Sequence, residues 1–235
     1  MHLPIRGTGC GVDPGYLLMN VAQARFNMVE QQIRTWEVLD QQVLDSMAEV
    51  PREDFVPAAY RNLAFADTCI PLDHGQSMML PRVEARMLQA LQVERDDRIL
   101  EVGTGSGFVT ALLARLGDHV TSIEIHDSLR SKAQATLDAH GIENVDLYAG
   151  DASRGWDRAA PYDVIAVTGS LPVLERGFQA NLAVGGRLFV VVGQEPAMQA
   201  LLITRNSESQ WLNECLFETV LPPLVGVEEP ERFVL

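Results

Sequence analysis

A short apolar run, Ile99, Leu100, Glu101, Val102, meets the glycine-rich stretch Gly103, Thr104, Gly105, Ser106, Gly107, which leads straight into an apolar helical segment, Phe108 to Leu116. A strand that turns on glycines into a helix is the opening unit of a doubly wound α/β sheet, because glycine tolerates backbone conformations that a Cβ forbids. The rhythm continues downstream. Strands are expected at His119 to Ile125, Val145 to Tyr148, Asp163 to Thr168 and Arg187 to Val192. Helices are expected at Leu129 to Ala139 and around Leu171 to Ala180, with another, Val83 to Leu91, ahead of the first strand. Such alternation predicts a mostly parallel sheet covered on both faces. Leu201 to Thr204 and Glu214 to Val220 read as an antiparallel hairpin at one sheet edge.

Upstream, the spacing of Ala24, Phe26, Met28, Val29, Ile33 and Trp36 predicts an amphipathic helix from Val21, and Val38 to Val50 a second. Pro51 to Pro81 is rich in Pro, Asp and Gly without a clear period, and a connector of that length is usually functional. The expected organisation is a disordered leader over 1–18, N-terminal helices and a substrate loop over 19–80, a ligand-binding α/β unit over 81–225 and an acidic tail over 226–235. Residues 19–225 are expected to form one structural unit.

Charge narrows the partners. The 235 residues carry 18 basic and 32 acidic side chains, a net charge of −14 at pH 7, which repels phosphate backbones and argues against nucleic-acid binding. No apolar run approaches the roughly 20 residues that span a bilayer, and no basic region followed by an apolar stretch marks a signal peptide. Cys10, Cys69 and Cys215 are odd in number and widely spaced, which offers neither a disulfide framework nor a zinc site. The expectation is a cytoplasmic protein without a metal.

The glycine turn sits where ligands bind in such sheets, at the carboxyl end of the first parallel strand. A dinucleotide fingerprint would require a further glycine where the chain has Phe108, so a pyrophosphate is not favoured. Glu101 just before the turn suits a cationic group instead. Glu124, ending the second strand, stands where a carboxylate accepts from both ribose hydroxyls, and Asp151, ending the third, where it receives an adenine amino group. Each has a plainer reading, as a structural turn, a solvated strand end and a turn former. Their occurrence at three successive strand ends favours a ligand with a ribose and a positive charge but no phosphate. S-adenosyl-L-methionine fits that description. Val102, Thr104, Ile125 and Ala152, beside these positions, complete the expected lining with Gly103, Gly105 and Gly107.

From about Val21 to Leu224 the chain resembles the protein-L-isoaspartate O-methyltransferase family of class I S-adenosylmethionine-dependent enzymes. The resemblance rests on Ile99 to Phe108; Ser122, Ile123, Glu124; Gly150, Asp151 with Gly155, Trp156; and Ala160 to Asp163 with Val167, Thr168. Further anchors are Gly185 to Leu188 before Val192, Gly193, and upstream Phe55, Val56, Pro57, then Ala66, Asp67 and Pro71. The pair Gly75, Gln76 with Pro81 is the more specific marker. The resemblance implies a Rossmann-like fold, S-adenosyl-L-methionine as cofactor, and methylation of isoaspartyl carboxylates in damaged proteins or peptides. It also implies that the loop after Gly75 lies over the methyl group and contacts the substrate. There the family's Thr-Ile-Ser segment is Ser77, Met78, Met79, so one hydroxyl is kept and the serine position holds Met79. Gln76, Ser77 and Met79 are the substrate-side candidates. Leu221, Pro222, Pro223, Leu224 approximate the family's Val-Pro-Leu ending, which walls the substrate groove. A methionine cannot donate the hydrogen bond that a serine gives, so two alternatives stay open: another acceptor with the same cofactor, or a cofactor-binding protein without catalysis.

Overall fold

The computed structural model describes residues 20–227, so the expected leader over 1–18 and the acidic cluster Glu228, Glu229, Glu231 lie outside the described residues. The first helix, α1 (Val21–Asn27), starts where the Asn20 side chain accepts from the amide of Gln23. The chain does not continue as one α-helix to Trp36. It widens into a π-helical turn, Met28–Ile33, and tightens into a 3-10 turn, Arg34–Trp36, that ends with Glu37 in the left-handed region. Met28 and Ile33 are five residues apart and both fully buried, a spacing that an i→i+5 turn brings onto one face. Helix α2 (Gln41–Glu49) begins later than expected, because Asp40 caps it by accepting from the amides of Gln42 and Val43.

The stretch from Pro51 to Pro81 holds short elements that its sequence gave no period for: α3 (Arg52–Phe55), a 3-10 segment Ala58–Leu63, and a two-residue hairpin of β1 (Ile70–Pro71) with β2 (Ser77–Met78). Helix α4 (Pro81–Leu91) then opens on Pro81, whose missing amide costs nothing at the first helical position. Its last carbonyls, on Leu91 and Gln92, accept from the Arg187 guanidinium.

The main sheet alternates with helices: β3 (Arg98–Val102), α5 (Phe108–Leu116), β4 (His119–Glu124), α6 (Asp127–Ala139), β5 (Val145–Ala149), β6 (Tyr162–Leu171), α7 (Arg176–Asn181), β7 (Leu182–Gln194), β8 (Ala197–Ser207) and β9 (Gln210–Glu218). The strand order is β5-β4-β3-β6-β7-β8-β9. The first five strands run parallel and the last two are antiparallel, as the alternation and the edge hairpin led one to expect. One expected helix starts later than its sequence suggested. Leu171 belongs to β6, where Ser170 and Leu171 pair with Val191 and Val192, and the helix occupies only Arg176–Asn181. Pro172 follows the last paired residue and has no amide to continue the ladder.

Two apolar clusters cover the sheet. One joins Met28, Ile33 and Met47 of the N-terminal helices to Leu88 and Leu91 of α4, Leu112 of α5 and Phe189 of β7. The other packs Leu100, Ile123, Tyr162, Ile165, Phe178 and Leu188 together. At the carboxyl edge, Ser170 donates its amide to the Pro222 carbonyl and accepts from the Leu224 amide, at 2.9 Å each. This short parallel bridge brings the 221–224 segment back beside the glycine turn. No helix among the described residues is long and apolar enough to cross a membrane.

Candidate functional site

The site forms where β3, β4, β5 and β6 end. The amide of Gly103 donates to the carbonyl of Ile123 at 2.9 Å, so the turn continues the β3–β4 pairing for one residue before it breaks away. Gly103 has φ +99°, and a Cβ there would overlap the Thr168 hydroxyl. That hydroxyl, at the end of β6, donates to the carbonyls of Val102 at 2.9 Å and Gly103 at 2.7 Å. Close backbone approach to Thr168 thus demands glycine. Gly107 meets a different need: with φ +84° it starts α5, and a Cβ would lie 3.1 Å from that of Ala133 on α6.

Glu124 clamps the turn. One carboxylate oxygen accepts from the Gly105 amide at 2.8 Å and the other from the His126 amide at 3.0 Å, tying the glycine turn to the start of α6. Asp151 accepts from the Ser153 amide at 2.8 Å. Three adjoining cavities run along these strand ends. The first is lined by Ser77, Met79, Glu84, Thr104 and Thr168, the second by Gln76, Ser77, Gly105, Glu124 and Leu224, and the third by Val102, Glu124, Ile125, Asp151 and Ala152; Gly103 lines all three. Most of the expected site residues therefore meet in one cleft.

Two do not. Glu101 and Gly107 line none of these cavities. Gly107 is occupied in helix packing, as above. Glu101 is 0% exposed and turned beneath the turn, where one carboxylate oxygen accepts from Thr110 at 2.5 Å and from Ser122 at 2.6 Å. Its other oxygen has no hydrogen-bond partner among the described residues. Burial pushes its pKa up to about 8, against the two hydroxyl hydrogen bonds that pull it down. Glu101, expected beside the ligand's ammonium group, thus lies beneath the turn and lines none of the three cavities. The Ser122 hydroxyl also lies 2.5 Å from that of Thr104, so Glu101 supports the turn from below.

The loop from Ile70 to Pro81 closes the cleft from above. The backbone hydrogen bond from Leu72 to Gln76, 2.8 Å, folds it over. His74 stacks on His126 with ring centroids 4.2 Å apart and reaches Ser128 at 2.7 Å, while Lys132 pairs with Asp73. Gln76 and Ser77 face the cleft. Met79 lines it too but is only 5% exposed and packs into the larger apolar cluster with Met78.

Sequence reasoning missed the post behind this loop. Arg52, 0% exposed, donates to the carbonyls of Ala64 at 3.0 Å and Met79 at 2.9 Å, pairs with Glu84, and lies 4.6 Å above the Phe108 ring. Glu84 is buried as well, and burial raises its pKa to about 7 although Arg52 opposes the rise. The available signal was an acid on the apolar face of α4, between Val83, Ala85, Met87 and Leu88. Thr168 and Leu72 were also overlooked as wall residues.

The donor set has one sign. Glu124 and Asp151 line the cleft, Glu84 lines it paired with Arg52, and no Lys, Arg or His among the described residues lines these three cavities. A pyrophosphate would find no positive partner there, whereas a cationic nucleoside finds carboxylates and hydroxyls along its length. The five parallel strands, the glycine turn and the carboxylates at successive strand ends define a Rossmann-like fold of the class I methyltransferase kind. The chain belongs to the family described as protein-L-isoaspartate(D-aspartate) O-methyltransferase, which its residues 23–229 match. It is 43% identical over 208 residues to protein-L-isoaspartate O-methyltransferase 1 of Rhodopseudomonas palustris strain HaA2, covering 88% of this chain and 85% of that protein. It is 38% identical to protein-L-isoaspartate O-methyltransferase 2 of Pelobacter propionicus, covering 90% and 94%. In fold it is similar to a Plasmodium falciparum beta-aspartate methyltransferase solved in complex with S-adenosyl-L-homocysteine, with a TM-score of 0.75 and 18% identity over 88% of this chain and 98% of that one.

Proposed function

We propose that this chain transfers a methyl group from S-adenosyl-L-methionine to the free carboxylate of L-isoaspartyl residues in proteins and peptides. The observation that carries the reading is the cleft's charge: carboxylates at successive strand ends beneath a loop with a hydroxyl, and no basic side chain among the described residues that line it. Glu124 keeps lone pairs for ribose hydroxyls while its backbone partners fix its orientation. Asp151 serves the adenine amino group, and Gly103 to Gly105 form the floor. Bound S-adenosyl-L-methionine supplies the electrophilic methyl group.

The chain's own task is then placement. An isoaspartyl carboxylate is ionised near neutral pH, so no strong general base is needed. Gln76 and Ser77 offer hydrogen-bond donors to orient it, and the buried faces of Met78, Met79 and Leu72 exclude water, which favours an in-line attack through proximity and partial desolvation of the nucleophile. Isoaspartyl polypeptides are thus the partners, in a cytoplasmic setting that suits the free thiols of Cys69 and Cys215. A second reading, a different acceptor with the same cofactor, is favoured by Met79, which leaves Ser77 as the hydroxyl of the family's loop segment. Labelled cofactor offered with assorted acceptors separates the two: base-labile methyl esters on isoaspartyl peptides support the first, and transfer only to another acceptor overturns it.

A further inference from the structure

The largest cavity described, about 500 Å³, is not the cofactor cleft. It lies between the Asp54–Tyr60 stretch and helix α6, and Leu72 and Gly105 line both spaces. The two spaces meet at this pair, since a Cβ on Gly105 would stand 3.4 Å from the Leu72 methyl. We propose that this chamber seats the polypeptide that flanks the methylated residue and takes an apolar side chain from it. This rests on the reading above: an isoaspartyl residue that reaches the cleft belongs to a chain that must continue beyond it, and the chamber is the adjoining space of that size.

Its chemistry suits a peptide. Phe55 and Leu129 are buried at its wall, and Phe55 is held by an edge contact with Phe108 at 5.7 Å and a stack on His140 at 5.5 Å, so the apolar surface is preformed. Asp73 and its partner Lys132 stand at the rim and offer an acceptor and donors to backbone amides. Ala58 and Ala59 are small and exposed, which leaves the mouth open. The volume lies in the range of ligand pockets and accommodates a side chain with its adjoining main chain.

The test uses two isoaspartyl peptides, flanked on both sides by leucine or by glycine, and the variant Ala59→Trp, which fills the mouth from an exposed position outside the cofactor cleft. KM is measured by methyl transfer, and the peptide Kd by calorimetry with S-adenosyl-L-homocysteine present. In the wild type the leucine peptide binds more tightly. Ala59→Trp raises its KM and Kd about tenfold, while the glycine peptide, kcat and the cofactor Kd stay unchanged. Unchanged constants for the leucine peptide, or an equal rise for both peptides, overturn the chamber while leaving the methylation intact. A wild-type protein that methylates no isoaspartyl peptide overturns the underlying function, and the chamber's role with it.

Discussion

Replacing Glu101 with Gln separates the buried carboxyl's charge from its shape. Glutamine keeps the volume and an oxygen for the Thr110 and Ser122 hydroxyls but cannot ionise. Moving a carboxyl from its ordinary 4.5 to about 8, at about 1.4 kcal/mol per pH unit, makes the ionised form on the order of 5 kcal/mol costlier in the folded than in the unfolded chain. Glu101 binds its proton more tightly when folded. Its contribution to stability is therefore full below pH 4.5, declines as pH rises and is gone once pH passes about 8. Between pH 6 and pH 8 the loss is about 2 kcal/mol, which for a chain of this size corresponds to roughly 4–8 °C in Tm. Glu84 adds a similar decline that ends near pH 7, but it is common to both proteins, so their difference isolates Glu101. Thermal unfolding of wild type and Glu101→Gln across pH 5–9 reads the effect directly. The wild-type Tm should fall more steeply with pH than that of the variant. Parallel curves would refute the buried, proton-retaining Glu101.

Glu124→Ala removes the clamp on Gly105 and His126 along with the ribose acceptor, and should raise the cofactor Kd at least about tenfold by calorimetry; an unchanged Kd would show the ribose lies elsewhere. Met79→Ser should lower stability by about 2–5 kcal/mol in denaturant titration, the cost of emptying a buried methionine site, without raising isoaspartyl activity. A gain in activity would instead identify the missing hydroxyl as limiting. Arg52→Met leaves Glu84 buried without its cation and the Met79 carbonyl without its donor, and should cost about 3–5 kcal/mol of stability; a loss below about 1 kcal/mol would mean that the pair is not buried as described.

The site was legible in sequence where a residue's role follows from its place at a strand end. Gly103, Glu124 and Asp151 fall into one cleft because β3, β4 and β5 are short, parallel and adjacent, so their carboxyl ends converge. Glu101 also sits near a strand end, yet its environment is decided by Thr110 on the next helix and Ser122 on the neighbouring strand. Only the packed fold brings those hydroxyls under it. Arg52 and Glu84 pair across 32 positions, which no local pattern announces. The helical reading from Leu171 to Ala180 took Leu171, the apolar end of β6, for the start of a helix. Short apolar runs carry no period of their own, and the tertiary partners Val191 and Val192 decided it.

Methylation of one particular carboxylate is the distinguishing property of this acidic cleft. It is tested most directly by offering an isoaspartyl peptide and its aspartyl twin, in equal amounts in one vessel, with isotopically labelled S-adenosyl-L-methionine, and locating the label by mass spectrometry. Label is expected on the isoaspartyl carboxylate and none on the twin. Equal labelling of both peptides, or none on either despite measurable cofactor binding, would contradict it.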